Sequence, residues 1–194
     1  MIHLLDRIGA RRGHFRMESG LHAAVWFDLD QLFVDPAILD PAIAELAEKL
    51  RPHAVDAVCG PLVGGAFVAQ LLARRLAVEC YFTERVRDGG GSGLLTARYQ
   101  LPRGVRARVG GRRVAIVDDV MSAGSSLRAT MDEMTAHGAV TIVVGALFVL
   151  GSKGAEFFAR HGLPVESAGQ AAFDMWPAEA CPLCAAGSAV EDVG

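Results

Sequence analysis

"VAIVDDVMSAGSSL" (114–127) decides how the chain reads. Four apolar residues, Val114 to Val117 with Ala115 among them, lead into the adjacent carboxylates of Asp118 and Asp119. A loop of small residues follows, Ser122, Ala123, Gly124, Ser125 and Ser126, and then a stretch that reads as a helix. In open α/β sheets ligands bind at the carboxyl ends of strands. The turn here delivers small residues to a helix N-terminus, where unpaired backbone N–H groups and the helix dipole favour an anion. Small side chains let the backbone approach a phosphate, and three serine hydroxyls can add donors. The two carboxylates would repel that phosphate. They suit vicinal hydroxyls or a hydrated metal ion. Phosphate on one side and diol on the other describes a ribose 5-phosphate. No Gly-Lys-Ser/Thr follows, so the loop is not a P-loop, and it is not G-x-G-x-x-G.

Working outward, strands alternate with helices from residue 41 to about 165. Apolar strand patterns fall at 55–59, 77–82, 113–118 and 140–150, with helical patterns at 66–76, 125–137 and 153–161 between them. Asp40-Pro41 reads as an N-cap and first helical position, opening a helix through about Arg51, with Glu45 and Lys49 placed to pair. This alternation predicts an α/β fold, a parallel sheet flanked by helices on both faces. Residues 1–35 form a small N-terminal hood region, 36–166 the core and 167–194 a C-terminal extension of one domain.

The 194 residues are 52% apolar and 21% charged, with a net charge of −3. That composition suits a globular chain and gives no electrostatic case for nucleic acid or an anionic membrane. No apolar run approaches the roughly 20 residues of a membrane span. "MIHLLDRIGARRGHF" lacks the pattern of a secretory leader. Cys59 and Cys80 fall in core strands, and Cys181 and Cys184 form one CxxC. This is no disulfide framework, and a reducing cytoplasm is expected.

The string at 114–127 resembles the PRPP-binding signature of type I phosphoribosyltransferases. "GHFRMESGLHAAVWFDLDQLF" (13–33) is similar to the N-terminal region of the orotate-specific branch. "GPLVGG" (60–65) sits where that family has its pyrophosphate loop, and "FTERVRDGGG" (82–91) resembles the start of its mobile catalytic loop. "CPLC" near the C-terminus also occurs in some members. The resemblance implies that Asp118 and Asp119 hold the ribose hydroxyls, directly or through Mg²⁺ and water, and that 122–126 cradle the 5-phosphate. Backbone N–H groups of Gly60, Pro61, Leu62, Val63, Gly64 and Gly65 would meet pyrophosphate. Arg85 and Arg87 would close over the site. The implied substrates are PRPP and a pyrimidine-like base, and the implied assembly is a homodimer.

The sequence departs from the family pattern at three places. Val63 and Glu18 stand where lysine is common. The catalytic loop carries no lysine or histidine, and His is absent from 54 to 136. Leu150-Gly151 replaces the usual Asp-Arg pair that meets the orotate carboxylate, leaving Lys153 as the nearest cation. A charge-assisted hydrogen bond is worth about 1.5–3 kcal/mol. A PRPP- or nucleotide-binding regulatory protein is therefore the alternative to an enzyme.

Other features admit two readings. Trp26 and Phe27 could hood the base or pack in the core. Asp28 and Asp30 alternate with apolar residues and read as a solvated strand face before a metal site. "RVGGRR" reads as a solvated turn before a phosphate patch. Cys181 and Cys184 supply half of a tetrahedral zinc set. His161 is a conceivable third ligand that the spacing does not support.

Overall fold

The apolar run that ends in the paired acids lies at the middle of a six-stranded sheet. The computed structural model describes residues 9–17, 19–86 and 98–193. Glu18, Arg87 and the "DGGGSG" stretch (88–93) lie outside the described residues. The described residues open with a hairpin, β1 (Ala10–Arg16) and β2 (His22–Phe27), and pass through a 3₁₀ turn over Leu29–Phe33. Next come α1 (Pro36–Leu50), β3 (Ala57–Pro61), α2 (Gly64–Leu76), β4 (Glu79–Val86) and β5 (Arg98–Gln100). The second half holds β6 (Arg113–Met121), α3 (Ser125–Ala136), β7 (Val140–Leu150), α4 (Lys153–Arg160) and β8 (Val165–Ala171). The tail adds β9 (Met175–Trp176), the one-turn helix α5 (Pro182–Ala185) and β10 (Glu191–Asp192).

The large sheet runs β5-β4-β3-β6-β7-β8. Its pairs are parallel except β4 with β5, which are antiparallel. Helices cover both faces, and β6 shows why its sequence is apolar at successive positions. Ala115 and Val117 pack in the core with Leu46 of α1 and Leu72 of α2. Val114 and Ile116 point the other way, into a core with Leu127 and Met134 of α3 and Phe158 of α4. A strand buried on both sides cannot alternate polar with apolar. Each buried valine or isoleucine of this strand contributes about 1.5–3 kcal/mol by burial.

Strand order reverses between β3 and β6. From β3 the chain moves outward to β4, and from β6 it moves the opposite way to β7 and β8. The crevice outside the carboxyl ends of β3 and β6 is therefore the topological switch point, where ligands bind in such sheets. "GPLVGG" leaves the first of these strands, and the acids with their small-residue loop leave the second.

Several boundaries differ from the sequence reading. Helix α1 starts at Pro36, capped by Asp35, whose Oδ1 accepts the Ala37 N–H at 3.0 Å. The chain holds two Asp-Pro pairs five residues apart, and the earlier one caps. The buried face of α1 already includes Leu39, so the helix must begin before Pro41, which lies inside it. Asp40 pairs instead with Arg75 of α2. Glu45 and Lys49 do pair, at 2.9 Å. Strand β4 continues to Val86, so Arg85 lies on a strand and not in a loop. Strand β6 continues past both acids to Met121. Strand β2 ends at Phe27, which leaves Asp28 outside it and Asp30 in the 3₁₀ turn, not on a strand face. In "RVGGRR", Arg108 and Arg112 pair with Glu79 at 2.9 and 3.2 Å, as a solvated turn does.

The hood and the C-terminal tail form one small sheet, ordered β10-β1-β2-β9. The two chain ends thus share a layer beside the switch point. Strand β8 carries the large sheet to Ala171, past residue 166. No helix of the described residues is long and apolar enough to cross a membrane.

Candidate active site

Asp118 and Asp119 sit on the last turns of β6, in register with β7 up to Met121. Asp118 is buried, 6% exposed. Its Oδ1 accepts the Asp119 N–H at 3.0 Å and its Oδ2 accepts the Ser126 hydroxyl at 2.7 Å. Asp119 accepts the Val120 N–H at 2.7 Å. Burial pushes the Asp118 carboxyl well above the ordinary carboxylate range, and the Asp119 charge adds to this. Burial also raises Asp119, against the opposing effect of its hydrogen bonds to Asp118 and Val120. A divalent cation or a pair of hydroxyl donors would relieve both.

The loop after β6 is held from behind. Met121 is fully buried, and the Ser122 carbonyl accepts the Gly154 N–H at 2.9 Å. Gly124 takes a left-handed φ of 75°, which a side chain would strain, and opens α3. Arg128, one turn into α3, donates to the Ala123 carbonyl at 2.5 Å and the Gly124 carbonyl at 3.3 Å. Its guanidinium lies 4.3 Å from the Phe157 ring centre. The loop's carbonyls are thus occupied on the protein side. The N–H groups of the first turn of α3, which have no helical acceptor, are the ones left to meet an anion.

The facing loop is built around close backbone approaches. A Cβ on Gly60 would collide with the Gly65 carbonyl, and one on Gly64 with the Asp119 carboxylate. A Cβ on Gly65 would lie 2.7 Å from Asp118 Oδ1. Glycine at these positions is what lets the loop after β3 lie against the acids of β6. The Leu62–Val63 peptide is cis. Pro61 has no N–H, and Leu62 donates its own to the Thr83 carbonyl at 2.8 Å. Anion donors in this loop are therefore restricted to Val63, Gly64 and Gly65, at the N-terminus of α2, and do not extend over the whole of 60–65.

The two loops enclose a cavity of about 240 Å³. Its walls are 61–64 from one loop, Asp118–Val120 and 122–126 from the other, with Met17, Ser19, Tyr99 and Val193 around the rim. Among the described residues that line it, Asp118 and Asp119 are the only charged ones.

The phosphoribosyl transferase domain model matches residues 29–158, which span both loops. The chain belongs to the type I phosphoribosyltransferase family. It is 31% identical over 192 residues to orotate phosphoribosyltransferase of Thermotoga petrophila, covering 98% of this chain and 95% of that one. It is 34% identical over 182 residues to orotate phosphoribosyltransferase of Heliobacterium modesticaldum, covering 91% and 86%. The crystal structure of orotate phosphoribosyltransferase from Aeropyrum pernix superposes with a TM-score of 0.67 at 26% identity, over 87% of this chain and 92% of that one.

On this phosphoribosyltransferase frame the residues picked from sequence separate into two groups. Asp118, Asp119, the 122–126 loop and most of 60–65 meet around one cavity. The three expected at the base do not line it. Trp26 packs under the Arg11 guanidinium at 5.4 Å, and Phe27 packs on Phe173 at 6.3 Å between ring centres. Lys153 donates to the Met175 carbonyl of β9 at 2.8 Å, because its position at the start of α4 lets it reach the tail. Arg85 lies opposite Tyr99 in the β4–β5 register, and Tyr99 reaches the rim. Cys59 is fully buried, and burial pushes its thiol far up, out of reactive range. Sequence reasoning missed Arg128 and Tyr99. Arg128 had a usable signal, a cation one turn after a small-residue loop. Met17, Ser19 and Val193 had none, since only tertiary packing brings the two chain ends to the rim.

Proposed function

We propose that the protein transfers ribose 5-phosphate from PRPP to a ring nitrogen of a pyrimidine-like base, orotate or a related one, and releases pyrophosphate. The observation that carries this is the meeting of the two glycine- and serine-rich loops with the paired acids at the switch point. The 122–126 loop and the first turn of α3 would bind the 5-phosphate. Asp118 and Asp119 would hold the ribose hydroxyls. Val63, Gly64 and Gly65 would offer N–H groups to pyrophosphate, and Arg85 of β4 would approach it from the outer side. In the reaction the anomeric carbon exchanges its bond to pyrophosphate oxygen for one to nitrogen, and the base gives up its ring proton. The protein's contribution is positioning, charge neutralisation and exclusion of water.

Mg²⁺ fits the donor set, two carboxylates whose protonation is raised by burial and proximity. Asp118 and Asp119 would hold it, directly or through water, and it would neutralise charge on the leaving pyrophosphate. A homodimer belongs to the same proposal and is tested by solution mass.

Incubation with PRPP, Mg²⁺ and a panel of bases tests the reading: pyrophosphate should appear with orotate or a close analogue and with few others. Folded protein that releases none with any base would refute transfer. A second reading, a PRPP-binding regulatory protein, is favoured by the lack of any cation among the described lining residues. Tight PRPP binding by calorimetry without product selects it.

A further inference from the structure

The chain carries a cluster of metal-ligating side chains away from the cavity. His14, His22, Cys181 and Cys184 place their ligand atoms all within 4.8 Å of one another. The two histidines come from the hood hairpin and the two cysteines from the tail, so residues about 160 to 170 positions apart converge. We propose that these four residues form a structural zinc site that staples the C-terminal tail to the N-terminal hairpin. The site is independent of the phosphoribosyl-transfer reading.

The hairpin explains how two histidines eight residues apart meet. Arg16 pairs with His22 and Phe15 with Ala23, but Arg12 pairs with Val25, so one extra residue bulges at Gly13–His14. A bulge re-aims the side chain it carries. His14 and His22 end up on one face, diagonal across the two strands, with His14 Nε2 2.8 Å from His22 Nδ1. Both are buried, 4% and 6% exposed. On the tail, Cys181 precedes α5 and Cys184 lies in it, so one helical turn brings both thiols to the same side. Cys181 is 2% exposed, and Cys184 is at the surface.

Three of the ligand separations are those of a tetrahedral set. With Zn–S near 2.3 Å and Zn–N near 2.0–2.1 Å, the ligand–ligand edges of a tetrahedron come to about 3.3–3.8 Å. Cys184 Sγ lies 3.3 Å from His22 Nδ1 and 3.7 Å from His14 Nε2, and Cys181 Sγ lies 3.5 Å from His14 Nε2. The imidazole pair is tighter than these three and would open by about half an ångström around an ion, and no ligand pair is more than 4.8 Å apart.

A second feature points the same way. His14 Nδ1 lies 2.9 Å from the Ser188 carbonyl. A carbonyl only accepts, so Nδ1 carries the hydrogen and the neutral ring turns the Nε2 lone pair to the cluster. Metal-bound histidines are held by such a bond from their other nitrogen. Two thiolates and two neutral imidazoles around Zn²⁺ sum to zero charge, which a buried position requires. Loading releases the two thiol protons and needs no oxidant. His161, a conceivable ligand that the sequence spacing does not support, is elsewhere: its Nδ1 bonds the Phe157 carbonyl at 2.8 Å. The staple has a structural consequence. It joins the hairpin that carries Met17 and Ser19 to the tail that carries Val193, and all three line the cavity rim.

The test is metal analysis of the full chain, purified with a tag that lacks histidine and without chelator. About one zinc per chain is expected, with X-ray absorption resolving two sulfur and two nitrogen neighbours at the distances above. Cys184→Ser, at the exposed position, should lose at least about tenfold in zinc occupancy, whereas His161→Ala should keep the parent's content. Chelated protein refilled with Co²⁺ should show thiolate charge-transfer and tetrahedral visible bands. Protein that stays metal-free after zinc reconstitution would overturn the proposal. So would zinc bound with oxygen neighbours only, or a Cys181–Cys184 disulfide in freshly purified protein.

Discussion

Replacing Gly64 by alanine tests the packing of the two loops with one methyl group. A Cβ at Gly64 would lie 2.6 Å from Asp119 Cγ. Carbon–carbon contacts rest near 3.5–4.0 Å, so the carboxylate and the loop must separate by about 1 Å. A misplacement of that size at a reacting centre can cost about 100-fold, or roughly 2.7 kcal/mol of transition-state stabilisation. Stability should move less. Gly64 begins α2, where alanine gains about 0.5–1 kcal/mol over glycine and offsets part of the strain. The assay is the initial rate of pyrophosphate release from PRPP with orotate, beside thermal unfolding of the same samples. Gly104→Ala is the control, because nothing lies within 4 Å of its Cβ. A folded Gly64→Ala protein that keeps kcat/KM within about threefold of the parent refutes the placement of the two loops.

Four further outcomes follow from the same geometry. Asp118 has a raised carboxyl in the folded protein, so folding is favoured below the ordinary carboxylate value and loses that support as pH climbs toward the folded value. Asp118→Asn should therefore raise Tm at neutral pH while weakening PRPP, with the Tm gain closing toward about pH 4; an equal gain at every pH contradicts this. Ser126→Ala removes a 2.7 Å bond to Asp118 and should raise KM for PRPP by about three- to tenfold in initial-rate measurements. Arg128→Ala frees the Ala123 carbonyl, while the backbone N–H of residue 128 still bonds the Gly124 carbonyl, and should raise KM for PRPP more than it lowers kcat, as steady-state kinetics would show. Cys59 should resist alkylation in native protein, by mass spectrometry, until the fold opens.

How much of this was legible in sequence depends on where the cause lies. The apolar strand β6 and the helix after its loop read correctly because their cause is local: a strand buried on both faces is apolar throughout. The start of α1 did not, because Asp35-Pro36 and Asp40-Pro41 satisfy the same capping rule, and only the buried face at Leu39 chooses between them. Lys153 reads from sequence as the cation nearest a missing arginine, and only the fold shows that the tail returns to give it the Met175 carbonyl of β9. The pairing of His14 and His22 with Cys181 and Cys184 was invisible because it needs a bulge in one hairpin and the return of the tail. Contacts that span the whole chain leave no periodic trace.

The charge in the cavity constrains how substrate enters. PRPP is a polyanion, and the only charged groups among the described lining residues are two carboxylates, Asp118 buried and Asp119 half-buried. Dipoles at two helix N-termini, each equivalent to about half a positive charge, offset one carboxylate at most. Binding must therefore bring in positive charge, as a divalent cation arriving with the substrate or as guanidinium from the β4 side, where Arg85 stands opposite Tyr99. The two sources differ in what they leave in the data. A cation that enters with PRPP makes PRPP affinity rise with free Mg²⁺ until it saturates, in the parent and in Arg85→Ala alike. A guanidinium makes the Mg²⁺ dependence shallow in the parent and steep in Arg85→Ala. Since burial disfavours charge on Asp118 and Asp119 before any substrate arrives, uptake should also release protons, and calorimetry in buffers of different ionisation enthalpy would count them.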